Sequence, residues 1–323
     1  MKYRHLGTGG PEVSEVGFGA WGIGKAMWVG AEDSASLKTL KYARDCGINF
    51  FDTALAYGDG HSERLLAQAF GKSPEVVIAS KVPPLNMIWP AQPGAKLPAV
   101  FPHKYVMDAL DQSLQNLGRD YVDVYQFHVW SDDWADSDEW QRTAREMRSS
   151  GKVRQVGISI NDHQPTNALK ALKTGLVQTV QVIYNIFDQS PEDELFGYCE
   201  KNGIGVIARV PFDEGSLTGK ITPETKFAEG DFRNVYFAGD RKKQVWERAQ
   251  AIAKDTGTSL EELPTLALRF CLSHPAVSSV IPGMRREEHV RANAAASDQG
   301  ALDKKTVDAL RRHRWVRSFY AGS

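Results

Sequence analysis

Short apolar runs of strand length alternate with amphipathic stretches of helix length along almost the whole chain, and this alternation limits the possible folds more than any other feature. Strand-like runs fall at 16–20, up to Asp52, and at 76–81, 122–128, 153–159, 177–185, 203–210 and 278–283. Helical patterns occupy 33–45, 62–70, 104–117, 138–149, a segment ending at 173, 191–201, 242–256 and 260–273, and two more, 287–296 and 303–312, close the chain. Strands separated by helices pair through crossovers, so the units are βαβ and the sheet is parallel. Eight such strands, with no linker or shift in composition, predict one domain over residues 1–323: a closed (β/α)8 TIM barrel with extra C-terminal helices, rather than an open doubly wound sheet. Ahead of it, LGTGGPEVSEVGF reads as a β-hairpin turning at Gly9, Gly10 and Pro11, placed to plug the barrel's bottom.

Composition narrows the function classes. The chain has 42% hydrophobic residues, and 39 basic residues balance 40 acidic ones for a net charge of −1, so no footprint for nucleic acid stands out. The basic group Arg311, Arg312, Arg314 and Arg317 reads as cations closing a final helix. Cys46, Cys199 and Cys271 are odd in number and far apart, against a disulfide framework or a zinc site. The start, MKYRHLGTGG, has no apolar signal core, and prolines break the least charged long run, 85–100. A cytoplasmic protein without membrane or metal is the expectation.

Two nucleotide-binding patterns fail on inspection. Gly17, Gly19 and Gly22 match GxGxxG, but IGKAMWVG follows where a helix is required. Gly215-Ser-Leu-Thr-Gly219-Lys220 is one residue short of a P-loop and lacks its final hydroxyl, though two glycines, a hydroxyl and a lysine can cradle an anion. More telling are the polar residues that end apolar strands: Asp52, Lys81, His128, Ser159, Gln181 and Arg209. Each alone reads as a cap, turn or salt-bridge residue, and Asp52 with Tyr57 as an Asx-turn beside a satisfied tyrosine. In a closed barrel, however, strand ends converge on one mouth, where Asp52, Tyr57, Lys81 and His128 would share a pocket.

With these residues in place, the chain resembles the aldo-keto reductase superfamily, of bacterial NADP-dependent type, over essentially its whole length. The matching pieces are LGTGGPEVSEVGFGAWGIG, FFDTALAYGDGHSE, ASK, YQFH, VGISIND, VQVIYN, PFDEGSLTGK and VIPGMRREEHVRANAAA. The resemblance implies catalytic roles for Asp52, Tyr57, Lys81 and His128 in reducing an aldehyde or ketone to an alcohol. Tyr57 would be the proton donor, Lys81 would lower its pKa, Asp52 would hold Lys81, and His128 would orient the carbonyl. It also implies NADPH/NADP+ lying across the mouth. Trp21, Gly22, Asp52, Ser159, Asn161 and Gln181 would sit at the nicotinamide end, with Arg209, Val210 and Pro211 beside it. Gly215, Leu217, Thr218, Gly219 and Lys220 would fold over the pyrophosphate, and Gly283, Arg285, His289 and Asn293 would hold the adenosine end.

Arg285, with Arg286 beside it, suits a 2′-phosphate and favours NADPH over NADH. The chain departs from the family pattern where Ile160 separates Ser159 from Asn161, His289 replaces Gln, Ala292 replaces Glu, and Arg209 stands where an aromatic usually stacks on the nicotinamide. Arg209 either lies beside that ring or pairs with Asp213 or Glu214. Trp21, Tyr57, Trp89, His128 and Trp130, with Trp28, would wall a pocket for an apolar or aryl small-molecule carbonyl; Trp315, Phe319 and Tyr320 join it or pack outside. A nicotinamide-binding regulatory or partner subunit with little turnover is the alternative. A metal-dependent barrel hydrolase would need ligand clusters such as His-x-His, and an aldolase-type lyase a Schiff-base lysine that works without NADPH.

Overall fold

Sequence and local structure agree closely in the helices. In Asp138–Ser149, Asp138 and Glu139 sit in the positive first turn and Arg148 in the last, while Trp140, Thr143, Ala144 and Met147 form the buried stripe. The structure, a computed structural model, describes residues 1–25 and 30–315. Trp28, Arg317, Phe319 and Tyr320 lie outside the described residues.

The strands are β1 (Tyr3–His5), β2 (Glu12–Ser14), β3 (Phe18–Gly19), β4 (Phe50–Asp52), β5 (Val77–Val82), β6 (Val122–Phe127), β7 (Val153–Ser159), β8 (Thr179–Ile183), β9 (Gly205–Arg209) and β10 (Val277–Val280). The helices are α1 (Asp33–Asp45), α2 (His61–Phe70), α3 (Leu97–Val100), α4 (His103–Leu117), α5 (Asp138–Ser149), α6 (Leu169–Lys173), α7 (Leu195–Asn202), α8 (Arg233–Tyr236), α9 (Arg241–Thr256), α10 (Leu263–Leu272), α11 (Glu287–Gln299) and α12 (Lys304–Arg311).

From β3 to β10 every neighbouring pair is parallel and in chain order. The sheet closes on itself: Val280 N–H donates to the Glu15 carbonyl and Gly17 N–H to Val280, both at 2.8 Å, and Gly19 N–H donates to Pro282 at 3.0 Å. The expected (β/α)8 barrel is therefore present, with the N-terminal hairpin and the extra C-terminal helices. Its first strand is shorter than expected, because residues 15–17 meet the last strand through single bonds rather than a ladder. The segment after β7 is mostly turns before α6, and the long loop after β5 carries α3.

Two cores result. The larger lies between barrel and helices. The smaller fills the barrel's lower interior, where Phe50, Val77, Ala79, Val124, Ile207 and Ile281 meet Leu6 and Val13 from the hairpin. The hairpin is tied down by Thr8 N–H donating to the Gly203 carbonyl at 2.8 Å and Gln155 Nε2 to that of Leu6 at 3.0 Å. With the bottom closed by apolar side chains, the polar strand ends gather at the opposite mouth.

Candidate active site

The centre of that mouth is one buried ammonium. Lys81, at the end of β5, is 0% exposed, and its Nζ donates to Asp52 Oδ1 at 2.6 Å, the Thr53 carbonyl at 2.7 Å and the Tyr57 hydroxyl at 3.4 Å. Three acceptors satisfy its three donors. Asp52, at the end of β4, also receives Gln181 Nε2 from β8 at 2.7 Å and Gln126 Nε2 from β6 at 3.4 Å. Four strands thus fix one carboxylate, and the carboxylate fixes the lysine.

Tyr57 rides on the turn after β4. Gly58 has φ +68°, and a Cβ there would stand 2.0 Å from the Gly24 carbonyl oxygen, so glycine lets the chain press against that neighbour. The Tyr57 ring meets His128 edge-on with centroids 5.8 Å apart, and Trp89 also meets His128 edge-on at 5.7 Å. Trp21 lies 6.3 Å from Tyr57 and 5.6 Å from Phe232, centroid to centroid. His128 Nδ1 is buried without a hydrogen-bond partner among the described residues.

Burial pushes the Tyr57 phenol above its ordinary pKa; the nearby Lys81 charge pulls it down but does not win. This corrects the expectation of a lowered phenol, since taking a phenolate out of water outweighs an ammonium that is itself held by Asp52. Burial works against charge on Lys81 too, yet Asp52 and Tyr57 beside it keep its pKa above the usual lysine value. His128 is driven well below the ordinary imidazole value by burial, then by Lys81 and Arg209, and is neutral at pH 7. A protonated phenol, a neutral imidazole and a fixed cation thus meet at the barrel mouth.

Other candidate residues fall into place unevenly. Ser159 and Gln181 are buried side by side in the β7–β8 register. Asn161 ties two loops together, its Oδ1 accepting from the Ala91 and Trp130 amides at 3.4 Å each and its Nδ2 donating to Gln164 at 3.2 Å. Trp130 is 0% exposed, packed on Phe127, Trp134 and Trp140 with its N–H on Asp132, so it supports the wall from behind and does not face a substrate. Arg209 pairs with Asp162 at 2.6 Å and with the Ile160 carbonyl at 2.9 Å, and its charge also acts on Glu214. Its charge is nonetheless felt at Tyr57 and His128.

After β9 the backbone turns through left-handed φ at Val210, Asp213 and Glu214, and the 3-10 segment Asp213–Thr218 leads to Gly219 and Lys220. Asp213 is held by Tyr236 Oη at 2.6 Å and Arg241 at 3.1 Å. Gly283 bridges Gly19, Arg285 precedes α11, and His289 and Asn293 stand one turn apart within it, Asn293 buried. Burial, then the charges of Arg233 and Arg286, hold Arg285 below the ordinary arginine pKa, with Asp231 opposing them. Sequence reading missed Phe232, the Thr53 carbonyl and Gln126. An aromatic in an irregular stretch and a backbone oxygen leave no motif, and Gln126 sits inside a strand. Among the described residues, no group of three or more His, Cys, Asp or Glu side chains could hold a metal ion, and no helix is long and apolar enough to cross a membrane.

The model of the aldo/keto reductase family matches residues 15–314. The chain belongs to that family. It is 30% identical to the NADH-specific methylglyoxal reductase of Escherichia coli over 97% of its length and 100% of that protein's. It is also 30% identical to a probable voltage-gated potassium channel subunit beta of Oryza sativa over 92% of each chain. Among solved structures, an aldo-keto reductase of Bacillus halodurans in its holo form superposes with a TM-score of 0.77 at 25% identity, covering 100% of this chain and 99% of that one. These aldo-keto reductase neighbours carry the (β/α)8 barrel and make an oxidoreductase acting on small carbonyls with a nicotinamide cofactor the shared family chemistry.

Proposed function

We propose that this protein reduces an aldehyde or ketone to an alcohol using a nicotinamide dinucleotide, NADPH in preference to NADH, with Tyr57 giving the proton. The observation that carries this is the buried Lys81 ammonium locked between Asp52 and the Tyr57 hydroxyl. Burying a lysine costs several kcal/mol, and a position that served packing alone would hold an apolar side chain of similar volume.

A bound nicotinamide supplies the hydride. The chain's own groups do the rest. His128 and the Tyr57 hydroxyl bind the carbonyl oxygen and orient it, stabilising the negative charge that grows there. Tyr57 then releases its proton to that oxygen, and the Lys81 charge steadies the phenolate left behind until water restores the proton. Asp52 keeps Lys81 charged through the cycle. Trp21, Tyr57, Trp89, His128 and Phe232 form an aromatic rim suited to an apolar or aryl carbonyl.

The residues at the mouth fit a dinucleotide. The partly buried Arg285, crowded by Arg233 and Arg286, gains from an added anion, which supports a 2′-phosphate and hence NADPH. Ser159, Asn161, Gln181 and Arg209 would lie at the nicotinamide end, and residues 215–220 over the pyrophosphate. A dinucleotide-binding subunit without turnover is the second reading, favoured by the channel-subunit relative and opposed by the intact quartet. A carbonyl panel assayed with NADPH and NADH side by side tests both. Steady loss of NADPH absorbance with at least one aryl aldehyde is expected, and silence across the panel despite dinucleotide binding would select the second reading.

A further inference from the structure

The segment from Val210 to Asp240 has little core of its own. Beneath it lies a satellite cluster of three buried residues, Ile221, Phe237 and Val245, with Phe227, Tyr236 and Trp315 packed against them. Trp315 is the outsider, because it arrives from beyond α12, about seventy residues further along the chain.

Around Trp315 two guanidiniums and two rings alternate. Arg248 lies 4.0 Å over the indole, Arg241 lies 5.3 Å over it from α9, and Arg241 also stands 4.4 Å over the Tyr236 ring. Arg241 is 5% exposed; one end of its guanidinium holds Asp213 at 3.1 Å and the Tyr236 hydroxyl at 2.7 Å, while its Nε is buried without a hydrogen-bond partner among the described residues. A desolvated cation with an unfilled donor depends on its remaining contacts, and the two aromatic faces are among them.

The tail is itself fastened at the barrel mouth. Trp315 N–H donates to the Phe187 carbonyl at 2.8 Å and its ring meets Phe187 at 5.3 Å. Arg314 makes paired bonds to Asp193 at 2.8 and 2.5 Å, and Arg311 donates to Glu192 at 2.8 Å. These partners all lie in the connection after β8. Asp213 opens the loop that runs on to Lys220.

From this chain of contacts we propose that Trp315 is a positioning residue: it latches the 213–220 loop through Arg241 and thereby sets how fast the dinucleotide leaves. The proposal rests on the reading that this loop covers the cofactor. Without the indole, water reaches Arg241, its grip on Asp213 loosens, and the loop opens more often.

The test is stopped-flow release of NADPH from the full chain. Trp315→Leu keeps apolar volume but not the aromatic face, and is expected to release NADPH on the order of fivefold faster, equivalent to about 1 kcal/mol. Trp315→Phe should restore most of the wild-type rate. Asp213→Asn should also speed release, and adding Trp315→Leu to it should change little more, since both act through Arg241. Should Trp315→Leu not fold, Arg314→Ala, which frees the tail from Asp193 and leaves the satellite cluster intact, should shift release in the same direction. Unchanged release in these variants, or effects that multiply in the double variant as general loosening would make them, overturns the latch. Wild-type protein that binds neither NADPH nor NADH overturns the cofactor reading and the latch with it.

Discussion

Lys81→Met removes the cation and leaves the Asp52 carboxylate, 2% exposed, with Gln181 at 2.7 Å and Gln126 at 3.4 Å as its remaining side-chain donors among the described residues. Two neutral amide donors do not replace an ammonium at 2.6 Å beside a carboxylate buried this deeply. Breaking one side of a buried pair costs about 3–5 kcal/mol, or on the order of 4–7 °C in Tm for a chain of this size. Asp52→Asn strands the ammonium instead and should cost a similar amount. The double variant Asp52→Asn/Lys81→Met buries no charge, and its loss should fall short of the summed single losses by about 2 kcal/mol or more. Guanidinium denaturation of all four proteins at pH 7 gives the cycle directly. Single variants within about 1 kcal/mol of wild type, or additivity within about 0.5 kcal/mol, would show that the pair is not the tightly coupled, desolvated unit on which the site is built.

Burial and the neighbouring Asp213 and Asp162 raise Glu214 to about 8, so the fold favours its protonated form. The stability this contributes is fully present below the ordinary carboxylate pKa and is lost as pH climbs through about 8; Glu214→Gln should therefore flatten the fall in Tm between pH 5 and pH 9, measured by calorimetry. Gly58→Ala places a Cβ 2.0 Å from the Gly24 carbonyl at a left-handed φ, so about 1–3 kcal/mol of stability should go in denaturant melts, and carbonyl reduction should fall more steeply because Tyr57 is the adjacent residue. Arg285→Ala should raise KM for NADPH by about 10–100-fold, the worth of a charge-assisted bond to phosphate, and leave KM for NADH nearly unchanged in steady-state assays.

The barrel was legible because its signals are periodic: strands buried on both faces read as unbroken apolar runs, and each helix carries one apolar stripe. Asp52, Lys81 and His128 stood out only together: each alone passes for a cap, turn or salt-bridge residue, but a closed barrel brings strand ends to one mouth. What escaped was geometry without period. Arg209 had candidate partners nearby in sequence, but the carboxylate of Asp162, after β7, reaches it as well, a neighbour only once β7 and β9 flank β8 in the sheet. Trp130 looked like a pocket wall by its position after β6, but three aromatic neighbours draw it inward. The direction of the Tyr57 shift turned on the balance of burial against a single charge, which residue identities alone do not weigh.

Tyr57→Phe deletes one oxygen and leaves the ring between Trp21 and His128, so it asks whether Tyr57 is the group that gives the proton. Dinucleotide binding should stay within about twofold of wild type while carbonyl reduction falls by about two orders of magnitude or more. Turnover near the wild-type rate in that variant would mean that the proton comes from elsewhere.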